Sequence, residues 1–226
     1  MGLLIALIVV FAWLGHLVWA LAFVEVSITS PMMYVHIAVQ TYLYTGLFIT
    51  AHDAMHGLVS PNRTVNSAIG RLSTWLFAAL SYSRLYVKHH LHHRFPGEAG
   101  DPDFCTSSQN FWYWWFSFLK NYVSWWQIIT LAVIFNILLI GVNQLNLILF
   151  WFLPSILATF QLFYFGTYRP HRLPHTETMM PHHSRTQKGA HWWAMLSCYF
   201  FGYHFEHHES PHTPWWKLYQ IKNQYK

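Results

Sequence analysis

The sequence has few charged residues and few cysteines, and each shortage argues against a class of protein. Only 9% of its 226 residues are charged, whereas an ordinary soluble domain carries roughly 25%. The two cysteines, Cys105 and Cys198, are far apart and form no CxxC spacing. We therefore expect neither a disulfide framework nor a thiolate metal site. No internal repeat, low-complexity tract or linker divides the chain, so we expect one domain over residues 1–226.

Long apolar runs are the main feature that the sequence does have. Hydrophobic residues make up 54% of the chain, which is typical of an integral membrane protein. The first run is too long for a signal peptide and lacks a basic start, so we interpret it as a retained span. The predicted membrane spans are residues 3–24, 32–51, 122–141 and 146–168.

Three further stretches place Trp and Phe beside polar residues, which is typical of helices that lie in the membrane interface. They are residues 66–87, 111–120 and 191–203. The longest of them is interrupted by Arg71 and Arg84. We therefore do not count any of the three as a full span.

The distribution of basic residues predicts the sidedness of the spans. One side receives only the turns EVSITSP and GVNQLN, and neither contains Lys or Arg. All 13 basic residues therefore fall on the other side, which should be cytoplasmic. The predicted fold is an all-α integral membrane protein. Two transmembrane hairpins support a cytoplasmic, histidine-rich cap, and both termini are cytoplasmic.

Histidines are abundant and fall into three groups with helical spacing. The chain has 17 of them. The groups are HDAMH at 52–56, HHLHH at 89–93 and HFEHH at 204–208. Residues three or four positions apart share one face of a helix, so each group presents at least two imidazoles together. His16 and His36 lie within the predicted spans, and we interpret both as structural.

The number of clustered imidazoles favours two metal ions. Zinc takes about four ligands and six is the usual maximum for a transition metal, whereas the three groups offer at least eight histidines. Nitrogen ligands suit iron, zinc, copper or nickel, so the donor type alone leaves the metal open. A proton relay is the weaker alternative, because relays place their ionisable groups within the spans.

The order of these groups, with membrane hairpins between them, resembles the membrane di-iron desaturase and hydroxylase superfamily. Four segments resemble the bacterial-type β-carotene ketolases within it: YTGLFITAHDAMHG, DPDF, QLFYFGTYRPHR and FGYHFEHHESPHTPWWKL. The resemblance covers about residues 10–220. It implies two irons, dioxygen as co-substrate and an external electron donor such as ferredoxin. The implied reaction is oxidation of C4 of a β-ionone ring to a ketone, by two hydroxylations and loss of water.

The resemblance also implies a set of iron ligands. The ninth ligand is expected after the fourth span, where His171 is the candidate and His175 the alternative. His90 competes with His89, although the HxxHH register favours His89. The implied set is His52, His56, His89, His92, His93, His171, His204, His207 and His208.

Acidic residues near the histidine groups are candidates for orienting the ligands. Ligand histidines usually donate their second ring N–H to a carboxylate or a carbonyl. Asp53 lies inside the first group, Asp101 and Asp103 follow the second, and Glu206 lies inside the third. We predict this role for Asp53, Asp103 and Glu206. Helix capping or solvent exposure is the alternative.

Other functions remain open at this level. A carotenoid 3-hydroxylase or a fatty-acyl desaturase would share the metal site, and a zinc-binding transporter or scaffold would need no redox metal. The basic residues Arg169, Arg172 and Lys188 are candidates for docking an acidic electron carrier, but membrane topology alone also explains them.

Overall fold

The computed structural model describes residues 1–224, which contain helices and no β-strand. The ten α-helices described are α1 (Gly2–Phe23), α2 (Pro31–Met55), α3 (Arg63–Ala78), α4 (Tyr82–Arg94), α5 (Phe111–Tyr122), α6 (Trp125–Leu138), α7 (Gln144–His171), α8 (His191–Cys198), α9 (His204–Glu209) and α10 (Leu218–Gln224). Two short 3₁₀ turns, Glu177–Met179 and Trp215–Lys217, lie in the connections.

The central helix is α2, which packs against α1, α3 and α7. Its buried face carries Tyr44 and Leu47, both fully enclosed. Trp13 of α1, Phe77 of α3 and Leu162 of α7 belong to the same apolar core. This packing fixes the C-terminal end of α2, where the first histidine group lies.

Helices α1 and α7 are long and apolar enough to cross a membrane, and a third span is possible if α5 and α6 are one bent span. The sequence predicts about four spans, and length and composition by themselves support two or three of them. Helix α2 covers the predicted span 32–51. Its Thr, Gln and His residues keep its mean hydropathy below that of α1 and α7, so it is not among the helices that qualify as spans by composition. Helix α6 has 14 residues and a length of about 21 Å, which is less than the bilayer core of about 30 Å.

Side-chain caps divide the predicted interfacial stretch 66–87 into two helices. Asn62 accepts hydrogen bonds from the N–H groups of Thr64 and Val65 at the start of α3. That helix ends at Ala78, and the following residue, Ala79, adopts a left-handed conformation. Ser81 then accepts a hydrogen bond from the Arg84 N–H and begins α4. The new helix turns the second histidine group toward the end of α2.

Helices α5 and α6 meet at an angle of 87°. Ser124 and Gln127 form a capping box, in which each side chain accepts a hydrogen bond from the other residue's backbone N–H. Because such a box satisfies the free N–H groups of a helix start, it begins a new helix at this point. Residue 122, where the sequence predicts a span to begin, is instead the last residue of α5.

Helix α7 contains two wider, π-helical turns, Leu147–Phe152 and Tyr164–Tyr168. Pro154 and Pro170 follow them. Since proline lacks an N–H and clashes with the carbonyl four residues earlier, a wider turn accommodates each proline within a continuous helix. The second π turn leads directly to His171, the last residue of α7.

Candidate metal centre and cavity

The structure brings all nine predicted ligand histidines together in two adjacent groups. In each group the possible ligand nitrogens lie within 4.8 Å of one another. The first group is His52, His56, His89, His93 and His207. The second group is His92, His171, His204 and His208.

Two pairs of consecutive histidines are each divided between the two groups. His92 is in the second group and His93 in the first, and His208 and His207 divide in the same way. Neighbouring residues of a helix point about 100° apart. One HH pair can therefore serve two sites, and α4 and α9 each supply both groups.

The nitrogen distances suit metal binding. The Nε2 atoms of His56 and His89 are 2.7 Å apart, and those of His93 and His207 are 2.9 Å apart. In the second group, His208 Nε2 lies 3.1 Å from His92 Nε2 and 3.2 Å from His204 Nε2. Two nitrogens that bind one ion at right angles, each at about 2.1 Å, would be about 3.0 Å apart. The donor set therefore fits two metal ions.

Two buried ring nitrogens further support this fit. The Nε2 atoms of His52 and His171 are buried and have no hydrogen-bond partner. His171 Nδ1 lies 3.0 Å from the backbone carbonyl of His183, so Nδ1 carries the proton and Nε2 keeps its lone pair. A buried polar atom without a partner is costly in free energy, and a metal ion would supply the missing contact.

Electrostatics keep most of these imidazoles neutral. Burial and the imidazoles of His90 and His212 lower the pKa of His56 to about 3. Burial, reinforced by neighbouring histidines, also holds the pKa well below its usual value at His89, His204, His207 and His208. Only a neutral imidazole offers a lone pair to a metal, so these five histidines can bind a metal at neutral pH.

His92 differs because it faces a carboxylate. Burial acts to lower its pKa, but the Asp101 carboxylate outweighs that effect and raises the pKa. His92 Nδ1 lies 2.9 Å from Asp101 Oδ2, so it donates its proton there and turns Nε2 toward the second group. The N–H groups of Gly97 and Asp103 also donate to Asp101.

The structure gives the predicted carboxylates different surroundings. Asp103 Oδ2 is 3.9 Å from His92 Nδ1, and Asp103 accepts a hydrogen bond from the Tyr122 hydroxyl. Asp53 accepts from the backbone N–H of Trp215, and Glu206 forms an ion pair with Lys222 at 3.3 Å. The closest carboxylate to a grouped histidine is therefore that of Asp101, which is not among the three carboxylates predicted to orient the ligands. The DPD motif signals a carboxylate here but does not indicate which aspartate faces inward.

The two alternative ligands lie outside both groups. His90 is exposed and its Nδ1 lies 2.8 Å from the carbonyl of Tyr86. His175 Nε2 lies 2.8 Å from the carbonyl of His171, and its ring stacks on that of His183. The geometry thus favours His89 over His90 and His171 over His175.

An apolar cavity of about 120 Å³ reaches both histidine groups. It contacts His52 and His89 of the first group and His92 and His204 of the second. Most of the remaining wall is apolar, and its main polar residues are Asp103, Tyr122, Gln127, Thr159 and Thr167. A rigid apolar molecule can therefore place one end beside both sites.

The Asp101 carboxylate gives the first testable prediction. We expect Asp101→Asn to reduce metal content and activity by about 10- to 100-fold, because the amide holds the His92 ring less firmly in its tautomer and orientation. Metal analysis of the purified protein and a product assay measure the effect. Glu98→Gln, at an exposed position of the same loop, is the control. Full metal retention in Asp101→Asn would contradict the proposed orientation of His92.

Comparison with known proteins identifies the class. The fatty acid desaturase family model matches residues 29–139 and 115–226, and the chain belongs to this family. A β-carotene ketolase of Paracoccus sp. (strain N81106 / MBIC 01143) is 40% identical, over 93% of this chain and 87% of its own length. A β-carotene ketolase of Paracoccus sp. (strain PC1) is 43% identical, over 79% and 74%.

The chain is also similar to a ketolase from an alga. A zeaxanthin 4-ketolase of Chlamydomonas reinhardtii is 40% identical over 91% of this chain, which corresponds to 48% of that protein. No solved structure matches the chain significantly.

Proposed function

We propose that this protein is an O2-dependent, di-iron β-carotene ketolase of the membrane. It oxidises C4 of the β-ionone ring, so that β-carotene becomes echinenone and then canthaxanthin. Rings that already carry a 3-hydroxyl are possible substrates, since one relative is a zeaxanthin 4-ketolase. The observation that carries the proposal is the apolar cavity that ends at two all-histidine groups.

Iron is the proposed metal because the reaction requires a redox centre. The allylic C–H bond of the ring is too weakly acidic for a side-chain base, and no amino acid side chain is a strong enough oxidant. When bound, the two irons would use O2 and external electrons to supply the oxidising power. The nine histidines of the two groups would hold them. Zinc in the same groups would be redox-silent, so iron content separates the enzyme from a zinc-binding scaffold.

The chain's own residues position the ring and keep water out. Phe48, Phe77 and Phe201 line the cavity near the histidines, where apolar walls favour the hydrocarbon over water. Phe201 packs edge-on against His52 with ring centroids 5.0 Å apart. A ring held there presents the same methylene to a second hydroxylation. The resulting geminal diol loses water to give the ketone.

Electrons would arrive at the face where α7 ends. Arg172 is exposed and directly follows His171, and Lys188 is exposed in the connection between α7 and α8. A basic surface attracts an acidic protein by complementary charge. We propose that a ferredoxin-like carrier docks here, on the cytoplasmic side of the membrane, which the positive-inside rule favours.

A product assay tests the proposed function. Expression in cells that accumulate β-carotene should give orange-red products with a gain of about 14 mass units per modified ring, as CH₂ becomes C=O. The His52→Asn variant, expressed to the same level, is the inactive control. A 3-hydroxylated product alone would indicate a hydroxylase. Unchanged carotene with a new double bond in membrane acyl chains would indicate a desaturase. Either result would overturn the ketolase proposal.

A further inference from the structure

The apolar cavity adjoins a second space on its outer side. This second space, the outer groove, has a volume of about 370 Å³ and lies at the bend between α5 and α6. Four residues line both spaces: Leu80, Leu85, Tyr122 and Gln127. They form a shared wall, with the α3–α4 connection on one side and the bend on the other.

The outer groove has exposed aromatic side chains at its rim. Trp75 and Trp126 line the outer groove and are 52% and 78% exposed. Exposed tryptophans of this kind are typical of the membrane interface. Arg84 and Lys88 line the same groove, and the Lys88 ammonium lies 4.6 Å from the centroid of the Tyr122 ring, at the shared wall. The groove thus has exposed tryptophans at its rim and adjoins the cavity that reaches the metal centre.

The shape of the substrate decides what can occupy this groove. A carotenoid is a stiff polyene with a ring at each end, so it cannot fold back inside the cavity. When one ring lies beside the histidines, the rest of the molecule must leave the cavity, and the outer groove is the space on the other side of the shared wall. Trp75, Tyr122 and Trp126 line that groove, and their faces pack well against a conjugated chain.

We propose that the outer groove binds the distal half of the carotenoid while the opposite ring is oxidised. This inference rests on the proposed ketolase function and assigns a second binding region to the same substrate. The bend at Ser124 then contributes to substrate specificity. If α5 and α6 formed one straight helix, that helix would fill the outer groove, whereas the bend leaves the groove free for the substrate. A compound with a ring but no long polyene would lack these contacts and bind less tightly.

Two threonines provide a matched pair for the test. Thr130 lines the outer groove, and Thr41 lines a separate groove between α2 and α7. Both are half-buried, and each donates its hydroxyl to the carbonyl four residues earlier, at 2.7 and 2.8 Å. Both native cysteines are buried. A new cysteine at either position should therefore react with a maleimide above a low background.

The experiment compares Thr130→Cys with Thr41→Cys in lipid nanodiscs, without O2, and with or without β-carotene. We expect β-carotene at ten times its Kd to slow labelling at position 130 by about tenfold and to leave position 41 unchanged. Equal labelling with and without β-carotene at position 130 would overturn the proposal. Equal protection at both positions would also overturn it, since that would indicate a general effect on the membrane.

A second pair of variants measures the same contact through kinetics. Thr130→Trp fills the outer groove and should raise the KM for β-carotene by about tenfold, with little change in kcat or iron content. Thr41→Trp should leave KM unchanged. An unaltered KM in Thr130→Trp overturns the proposal. Absence of ketone from the wild-type protein would instead overturn the proposed function, so the two failures are distinguishable.

Discussion

We expect His89→Asn to abolish ketone formation while His90→Asn, the adjacent substitution, leaves it nearly intact. His89 belongs to the first histidine group, with its Nε2 2.7 Å from that of His56. His90 is exposed and stacks on Tyr86. Loss of a residue that merely orients a ligand costs about 10- to 100-fold in metal affinity or activity. The loss of the proposed ligand His89 should cost at least as much.

The measurement is iron per protein and ketone per cell at equal expression. His89→Asn should lose iron from the first group, and the iron of the second group should be partly retained. Because the two positions are neighbours on one helix, a general defect in α4 would affect both variants alike. Equal iron and equal product in the two variants would contradict the assignment of His89.

The second large effect is expected at Gly166, in the second π turn of α7. An added Cβ there would lie 2.0 Å from Cε1 of Phe201, far inside van der Waals contact. Phe201 packs against His52 of the first group and His204 of the second, with ring centroids 5.0 and 5.4 Å apart. Even Gly166→Ala must therefore displace a ring that contacts both groups.

Gly166→Ala should destabilise the protein by about 1–3 kcal/mol, as is usual when a packed core is overfilled. Ketone formation should fall by more than about tenfold, because catalytic geometry tolerates little displacement. Thermal unfolding in detergent and the product assay measure the two effects. Gly15→Ala is the control, since its added Cβ meets nothing within 4 Å.

A double variant tests the cause of this effect. If the clash with Phe201 is responsible, Gly166→Ala with Phe201→Leu should recover part of the lost stability, because the two changes then couple. Strictly additive losses would show that Gly166 matters for another reason. Wild-type stability and product in Gly166→Ala alone would contradict the close packing itself.

The sequence by itself determined the class of protein and the identity of the grouped histidines. Spacings of three and four residues are local: they place His52 beside His56, and His204 beside His207 and His208, as soon as a helix forms. The apolar runs likewise predicted α1 and α7 within a few residues, because membrane insertion depends on length and hydropathy. The family resemblance follows from the same segments, and the family is confirmed.

Only the tertiary structure decided how these parts combine. The division of the histidines into two groups, the contact of Asp101 with His92, and the cavity between α2 and the bent pair α5–α6 all depend on how helices distant in sequence pack together. Asp101 rather than Asp103 makes the close contact with His92, because the backbone N–H groups of Gly97 and Asp103 in the same loop hold the Asp101 carboxylate in place. The 87° bend and the π turns arise from caps and prolines within apolar runs that read as continuous spans. Hydropathy averages over about 20 residues, so it cannot register the bend that a single serine produces or the wider turn that accompanies a single proline.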